Sequence, residues 1–261
     1  MGAEHQPRDL LWLIAGTGEG PGLARELLRR GWRLRVFVVS QVAARAYGSS
    51  PSLEISVGAL GDAEAIGRAL DHAALTGRAP RVVVDATHPF ATRISAALAS
   101  ASGQRQQPLL RLLRPLLDPG EATVLADLDS LRQLPLQGTA LLLAIGARDL
   151  ARAIHCSPGA RHHARILPNP AALAAAMAAG LPGERVAALR PGPAAAIERA
   201  LGRRWKLEAV LCRCSGSAAE IHWHRLARQE GWRLILLERP AEPQGIPGLE
   251  YQALLERLGC P

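Results

Sequence analysis

The chain has 261 residues, 48% hydrophobic and 21% charged, which excludes a largely disordered polymer and gives length for one large or two compact domains. Its formal net charge of +8 comes almost wholly from arginine, since Lys206 is the only lysine; scattered arginines with only 3% aromatics suit a polyanionic small molecule better than a stacking platform for nucleic acid. No apolar run reaches the ~18 residues of a membrane helix, residues 1–9 do not read as a secretion signal, and four cysteines without paired spacing fit a reducing, cytoplasmic setting.

In chain order, the apolar run 10–15 is short, continuous and followed by glycine, the pattern of a parallel strand buried on both faces. The turn Gly16-Thr17-Gly18-Glu19-Gly20-Pro21-Gly22 leads into a predicted helix over 23–30 that Gly31 stops. Strand 34–39, helical stretch 42–47, strand 53–57, helix 62–75 and strand 81–85 follow, and 108–113 adds a last strand. Residues 114–120 mark a boundary, after which the alternation resumes. Strands are predicted over 140–145, 164–167, 185–189, 209–212 and 234–238, with helices over 148–154, 171–179 and, closing the chain, 249–258. Such alternation predicts βαβ units with parallel sheets. The expected architecture is α/β, with two Rossmann-like domains and an interdomain cleft: residues 1–115 bind a dinucleotide, 116–120 link, and 121–261 form the second domain. Gly31-Trp32-Arg33-Leu34 recurs as Gly231-Trp232-Arg233-Leu234, each copy fifteen residues after a strand-ending glycine, Gly16 or Gly216, so both halves are expected to use one strand–turn–helix–strand unit.

Three turns carry candidate chemistry. Backbone N–H groups of a glycine turn at a helix start suit phosphate. Gly16 and Gly18 fit a dinucleotide loop, but Pro21 replaces the third glycine of Gly-x-Gly-x-x-Gly, and a plain strand-to-helix turn is the alternative. After the second strand, Ser40 and Arg45 stand where an NAD site carries a carboxylate, which favours NADPH with its 2′-phosphate. Asp85-Ala86-Thr87-His88-Pro89-Phe90 lies at the carboxyl end of a strand, where open α/β sheets bind ligands. It offers hydrogen bonds and a proton donor, His88, or simply a helix cap at Asp85 and Thr87. Arg111 and Arg114 close the first domain as ligand forks or as an exposed edge, and Cys212-Arg213-Cys214-Ser215-Gly216-Ser217 is a further glycine turn, expected to face the first across the cleft. His155, Cys156, His162 and His163 match no zinc spacing, so no metal is expected. No Ser-His-Asp set, paired carboxylates or Tyr-x-x-x-Lys pair accompanies these turns.

At these residues the chain resembles the precorrin-6A reductase family of cobalamin biosynthesis, including its cobalt-precorrin-6A branch. Gly16-Thr17-Gly18-Glu19 with Leu23-Ala24 is similar to the family's opening loop, and Asp85-Ala86-Thr87-His88-Pro89-Phe90-Ala91 to its most diagnostic motif. Pro108-Leu109-Leu110-Arg111-Leu112-Leu113-Arg114-Pro115, Arg165-Ile166-Leu167-Pro168, Ser215-Gly216 and Arg239-Pro240 resemble its later landmarks. The chain departs from the family at Pro191-Gly192-Pro193, where Gly-Pro-Phe is usual, at Arg213 and Cys214, which replace a lysine and an acid, and near Trp223, where a second lysine would fall. The resemblance implies an NADPH-dependent reductase that adds hydride to one double bond of a corrin precursor. It places Gly16, Thr17, Gly18, Glu19, Ser40, Arg45, Thr87, Ser215 and Gly216 at the cofactor. Asp85, His88, Arg111, Arg114 and Arg213 fall at the polycarboxylate tetrapyrrole substrate, with His88 as the proton donor. Glu19, of like charge to a phosphate, is expected at a ribose hydroxyl or at the helix start. Neighbouring corrin-pathway enzymes are the implied partners, with neither nucleic acid nor membrane. The alternatives are a non-catalytic NADP-sensing module and an NADP-dependent reductase of another substrate.

Overall fold

The computed structural model describes residues 9–16, 18–190 and 196–261; Thr17 and the Pro191-Gly192-Pro193 departure lie outside the described residues. The chain forms two units, Met1–Pro115 with Pro240–Pro261, and Leu116–Arg239.

The first unit is built from β1 (Leu10–Ala15), α1 (Gly20–Arg29), β2 (Arg33–Val38), α2 (Gln41–Ala44), β3 (Leu53–Val57), α3 (Ala63–Leu75), β4 (Val82–Ala86), α4 (Thr92–Gln104) and β5 (Leu109–Leu113). β1 is apolar throughout because both its faces are covered. Leu11, Leu13 and Ala15 pack with Leu23, Ala24 and Leu27 of α1, while Leu10, Trp12 and Ile14 pack with Ile66 and Leu70 of α3 and Leu98 of α4.

The second unit runs β6 (Thr123–Leu125), β7 (Ala140–Leu143), α5 (Leu150–Cys156), β8 (Arg161–Ile166), α6 (Pro170–Ala178), β9 (Val186–Ala188), α7 (Ala196–Trp205), β10 (Ala209–Arg213), α8 (Ala218–Glu230) and β11 (Arg233–Leu237). The chain then returns to the first unit as β12 (Gly248–Glu250) and α9 (Tyr251–Leu258). The second unit is thus Leu116–Arg239, where 121–261 was expected, and it includes the expected linker 116–120. The reason is packing. β12 pairs with β5, and Leu254, Leu255 and Leu258 enter the core beneath β1. The first two residues of the expected helix over 249–258 therefore belong to β12, and α9 starts at Tyr251.

Both sheets have six parallel strands, in the orders β3-β2-β1-β4-β5-β12 and β9-β8-β7-β10-β11-β6. With β7 counted as a first strand, the first five positions of each repeat the 3-2-1-4-5 order of a dinucleotide-binding fold. The sixth position is filled from elsewhere in the chain: by the C-terminal segment in one sheet, by the segment preceding β7 in the other. The switch points are β1/β4 and β7/β10. Among the described residues no helix is long and apolar enough to cross a membrane.

The repeated Gly-Trp-Arg-Leu has one geometry. Gly31 and Gly231 have positive φ (95° and 69°), and the next amide bonds back across the helix end, Trp32 N–H to Leu27 O at 3.1 Å and Trp232 N–H to Ala227 O at 2.9 Å. This is a glycine-stopped helix feeding a parallel strand. The two copies occupy different sheet positions, β1-α1-β2 and β10-α8-β11, so the unit is shared while the topological counterpart of β1 is β7.

Candidate functional site

The carboxyl ends of β1 and β4 meet at the first switch point. Gly16 leaves β1 there, and a Cβ added to it would lie 3.6 Å from Thr87 Cα and 3.7 Å from His88 N, so two motifs seventy residues apart form one edge. At Gly18 an added Cβ would meet nothing within 4 Å: this turn opens outward. Gly20, the first residue of α1, is confined instead. A Cβ there would collide with the Tyr47 hydroxyl and lie 3.1 Å from Ala15 Cβ. Gly20 thus does the close-packing task of the third fingerprint glycine, which the strict spacing assigns to Pro21. The signal was present in the sequence, one residue out of register. Burial against this turn pushes the Tyr47 phenol up to about 12.

Beyond β2, Ser40 caps α2 by accepting a hydrogen bond from Ala43 N–H at 3.2 Å, and Arg45 follows the helix on an exposed site. No carboxylate intervenes between Val38 and Arg45. Thr87 is buried, its N–H donating to Asp85 Oδ1 at 3.0 Å and its hydroxyl 3.3 Å from Ser95 Oγ. His88 is half-buried, and its Nδ1 accepts from Phe90 N–H at 3.2 Å, which places the proton of the neutral ring on Nε2. Asp85 and Thr87 do not cap α4, whose N-cap residue is Ala91.

Several of the expected site residues have partners within the fold. Asp85 and Arg111, assigned to substrate, are 0% and 2% exposed and form an ion pair; Arg111 also bonds Glu242 and donates to Ser95 Oγ at 2.6 Å. A guanidinium so enclosed holds β4, α4, β5 and the returning C-terminal segment together. Arg114, also assigned to substrate, ion-pairs with Glu19, its Nη2 donating to Oε2 at 3.0 Å and its Nε lying 2.9 Å from Oε1. Glu19, expected at a ribose or the helix start, precedes α1 without capping it through its side chain. At the second turn, the Ser215 and Gly216 amides donate to Glu220 Oε2 at 2.6 and 2.7 Å, so an internal carboxylate fills the cradle expected for the cofactor. Arg213 ion-pairs with Asp149.

The second switch point shows what sequence reasoning passed over. Gly146, with φ of 81°, lies three residues beyond the end of β7, and the Arg213 guanidinium lies 3.5 Å from where its Cβ would stand. Its signal in the sequence is the apolar run 140–145 followed by glycine. The loose histidines and cysteine also have structural partners. Cys156 Sγ donates to Asp129 at 3.1 Å, His162 Nε2 lies 2.8 Å from Ser157 Oγ, and His163 stacks on Trp205 with centroids 4.7 Å apart. Strand β8 starts at Arg161 and incorporates both histidines.

A family model described as precorrin-6x reductase CbiJ/CobK matches residues 10–258 of this chain. Among curated proteins, a cobalt-precorrin-6A reductase of Synechocystis is 36% identical over 244 residues, covering 91% of this chain and 90% of that protein. A precorrin-6A reductase of Mycobacterium tuberculosis is 29% identical over 257 residues, covering 95% and 97%. Among solved structures, one titled CobK precorrin-6A reductase aligns with a TM-score of 0.74 at 23% identity, covering 95% of each chain, and so shares the fold.

Proposed function

The chain belongs to the precorrin-6x reductase CbiJ/CobK family, and from that premise we propose that it reduces precorrin-6A, or its cobalt form, with NADPH. The observation that carries the cofactor reading is the outward-opening turn at Gly18, at the end of β1 beside the switch point of a 3-2-1-4-5 sheet. The donor set fits the group: backbone amides at the start of a ten-residue helix for the pyrophosphate, and Ser40 with the exposed Arg45 beyond β2 for a 2′-phosphate.

When bound, the reduced nicotinamide supplies the hydride; the protein binds, orients and excludes water. Gly16 and Gly18 hold the phosphates. Thr87 and His88, beside Gly16, are the side chains that would hold the nicotinamide end. His88 Nε2–H is the proton donor to the carbon next to the new C–H bond. The higher identity to the cobalt-precorrin-6A reductase makes the cobalt form the first to assay.

Calorimetric titration tests the cofactor reading. NADPH is expected to bind about 5- to 100-fold more tightly than NADH, the range of one arginine–phosphate contact. Gly18→Val is expected to abolish binding without lowering the melting temperature, because its side chain enters open space. Equal affinities, or normal NADPH binding by Gly18→Val, would refute it.

A further inference from the structure

Glu19 places a carboxylate in the very turn that the cofactor reading gives to a pyrophosphate. An acid ahead of a helix is favourable to the helix dipole, but it repels an anionic ligand arriving at the same amides. Arg114 answers that charge. It comes from the end of β5, 95 residues away, its Nη2 donating to Glu19 Oε2 at 3.0 Å and its Nε standing 2.9 Å from Oε1 as an ion-pair contact. The guanidinium side chain is 6% exposed and the carboxylate 33%, so the arginine lies beneath the acid and the acid faces outward. A guanidinium in that position acts on a ligand through Glu19.

We infer that Arg114 is a positioning counter-ion: by neutralising Glu19 inside the glycine turn, it allows the turn to accept the pyrophosphate of NADPH. The inference rests on the cofactor reading above. It accounts for both members of the pair. Glu19 favours the start of α1 and holds a nearly buried guanidinium, and Arg114 removes the repulsion that Glu19 would otherwise exert. At a surface site, an uncompensated charge a few ångströms from a phosphate is worth about tenfold or more in an equilibrium constant.

Direct NADPH binding is measured for the wild type, Arg114→Met, Glu19→Gln and the double variant, with a melting curve for each. Arg114→Met is expected to weaken binding about tenfold, with the loss shrinking as salt rises because the repulsion is screened. Glu19→Gln should bind at least as tightly as the wild type. The double variant should return to within about threefold of wild type, and Arg114→Lys, which keeps the charge, should stay within the same margin. A double variant as weak as Arg114→Met would overturn the inference, since a direct contact or a loop scaffold is not rescued by removing Glu19. Normal binding by Arg114→Met would overturn it too. If Arg114→Met fails to fold, a tenfold loss in Arg114→Lys would serve as the contrary result. Absence of NADPH binding by the wild type would refute the cofactor reading itself, whereas wild-type binding with an unrescued double variant refutes this inference alone.

Discussion

Replacing Arg111 by alanine would leave Asp85 fully buried with its counter-charge gone and Ser95 and Glu242 without their donor. Breaking a buried pair from one side costs about 3–5 kcal/mol, so Arg111→Ala is expected to lower the urea midpoint sharply. A stable variant with a raised substrate KM would instead return Arg111 to the ligand. His163 is the second residue to test. Both its ring nitrogens lack a hydrogen-bond partner, and burial pulls it from 6.5 to about 4. The unfolded chain takes up this proton first, so the stabilisation is complete above about pH 6.5 and is lost as pH falls toward 4, by about 3 kcal/mol in all. His162, also lowered by burial, adds with the same sign. Urea midpoints at pH 7 and pH 5 should separate less in His163→Leu than in the wild type; equal separations would contradict the assignment. At this scale the sequence disclosed which turns end strands, and Gly16 beside Thr87–His88 follows from that. It could not disclose who occupies a turn's amides. Glu220 sits in the first turn of α8, where any helix tolerates an acid, and only the fold shows its carboxylate in the Ser215–Gly216 nest.

The elements of the first sheet were legible because a strand covered on both faces is a short unbroken apolar run, and β1 and β3 have the expected bounds. β6 and β12, three residues each, were not: a strand so short leaves no periodicity, and nothing local says which sheet it will join. α4 was expected only as the helix following Thr87, without bounds, because its Ser- and Ala-rich face carries little amphipathic contrast. The consequence of β12 and α9 is testable. Arg30 donates to Leu255 O at 2.6 Å, Trp32 Nε1–H to Gly259 O at 3.1 Å, and Arg111 bonds Glu242. Deleting residues 240–261 is therefore expected to unfold the first unit and abolish NADPH binding. Hydrogen exchange should show amide protection lost in β1, β2, β4 and β5 and retained in β7, β10 and β11. Loss confined to β10 and β11 would mean that the C-terminal segment serves the second unit.

Two sheets of one strand order, each completed by a segment from outside its own five-strand run, give the molecule two switch points. The first keeps its glycine turn open at Gly18. The second has its Ser215–Gly216 amides satisfied by Glu220 and Arg213 held by Asp149. That asymmetry is why the dinucleotide is proposed at the first unit. The central claim, reduction of a corrin precursor by NADPH, is tested most directly by anaerobic incubation of the purified protein with precorrin-6A and, separately, with its cobalt form. NADPH, NADH or no nucleotide is added to each, and absorbance and mass are recorded. The account expects one pigment to gain two hydrogens, with an absorbance change that requires NADPH and proceeds with one NADPH oxidised per pigment. NADPH bound at the first unit with neither pigment reduced would contradict it and leave a nucleotide-sensing module in its place.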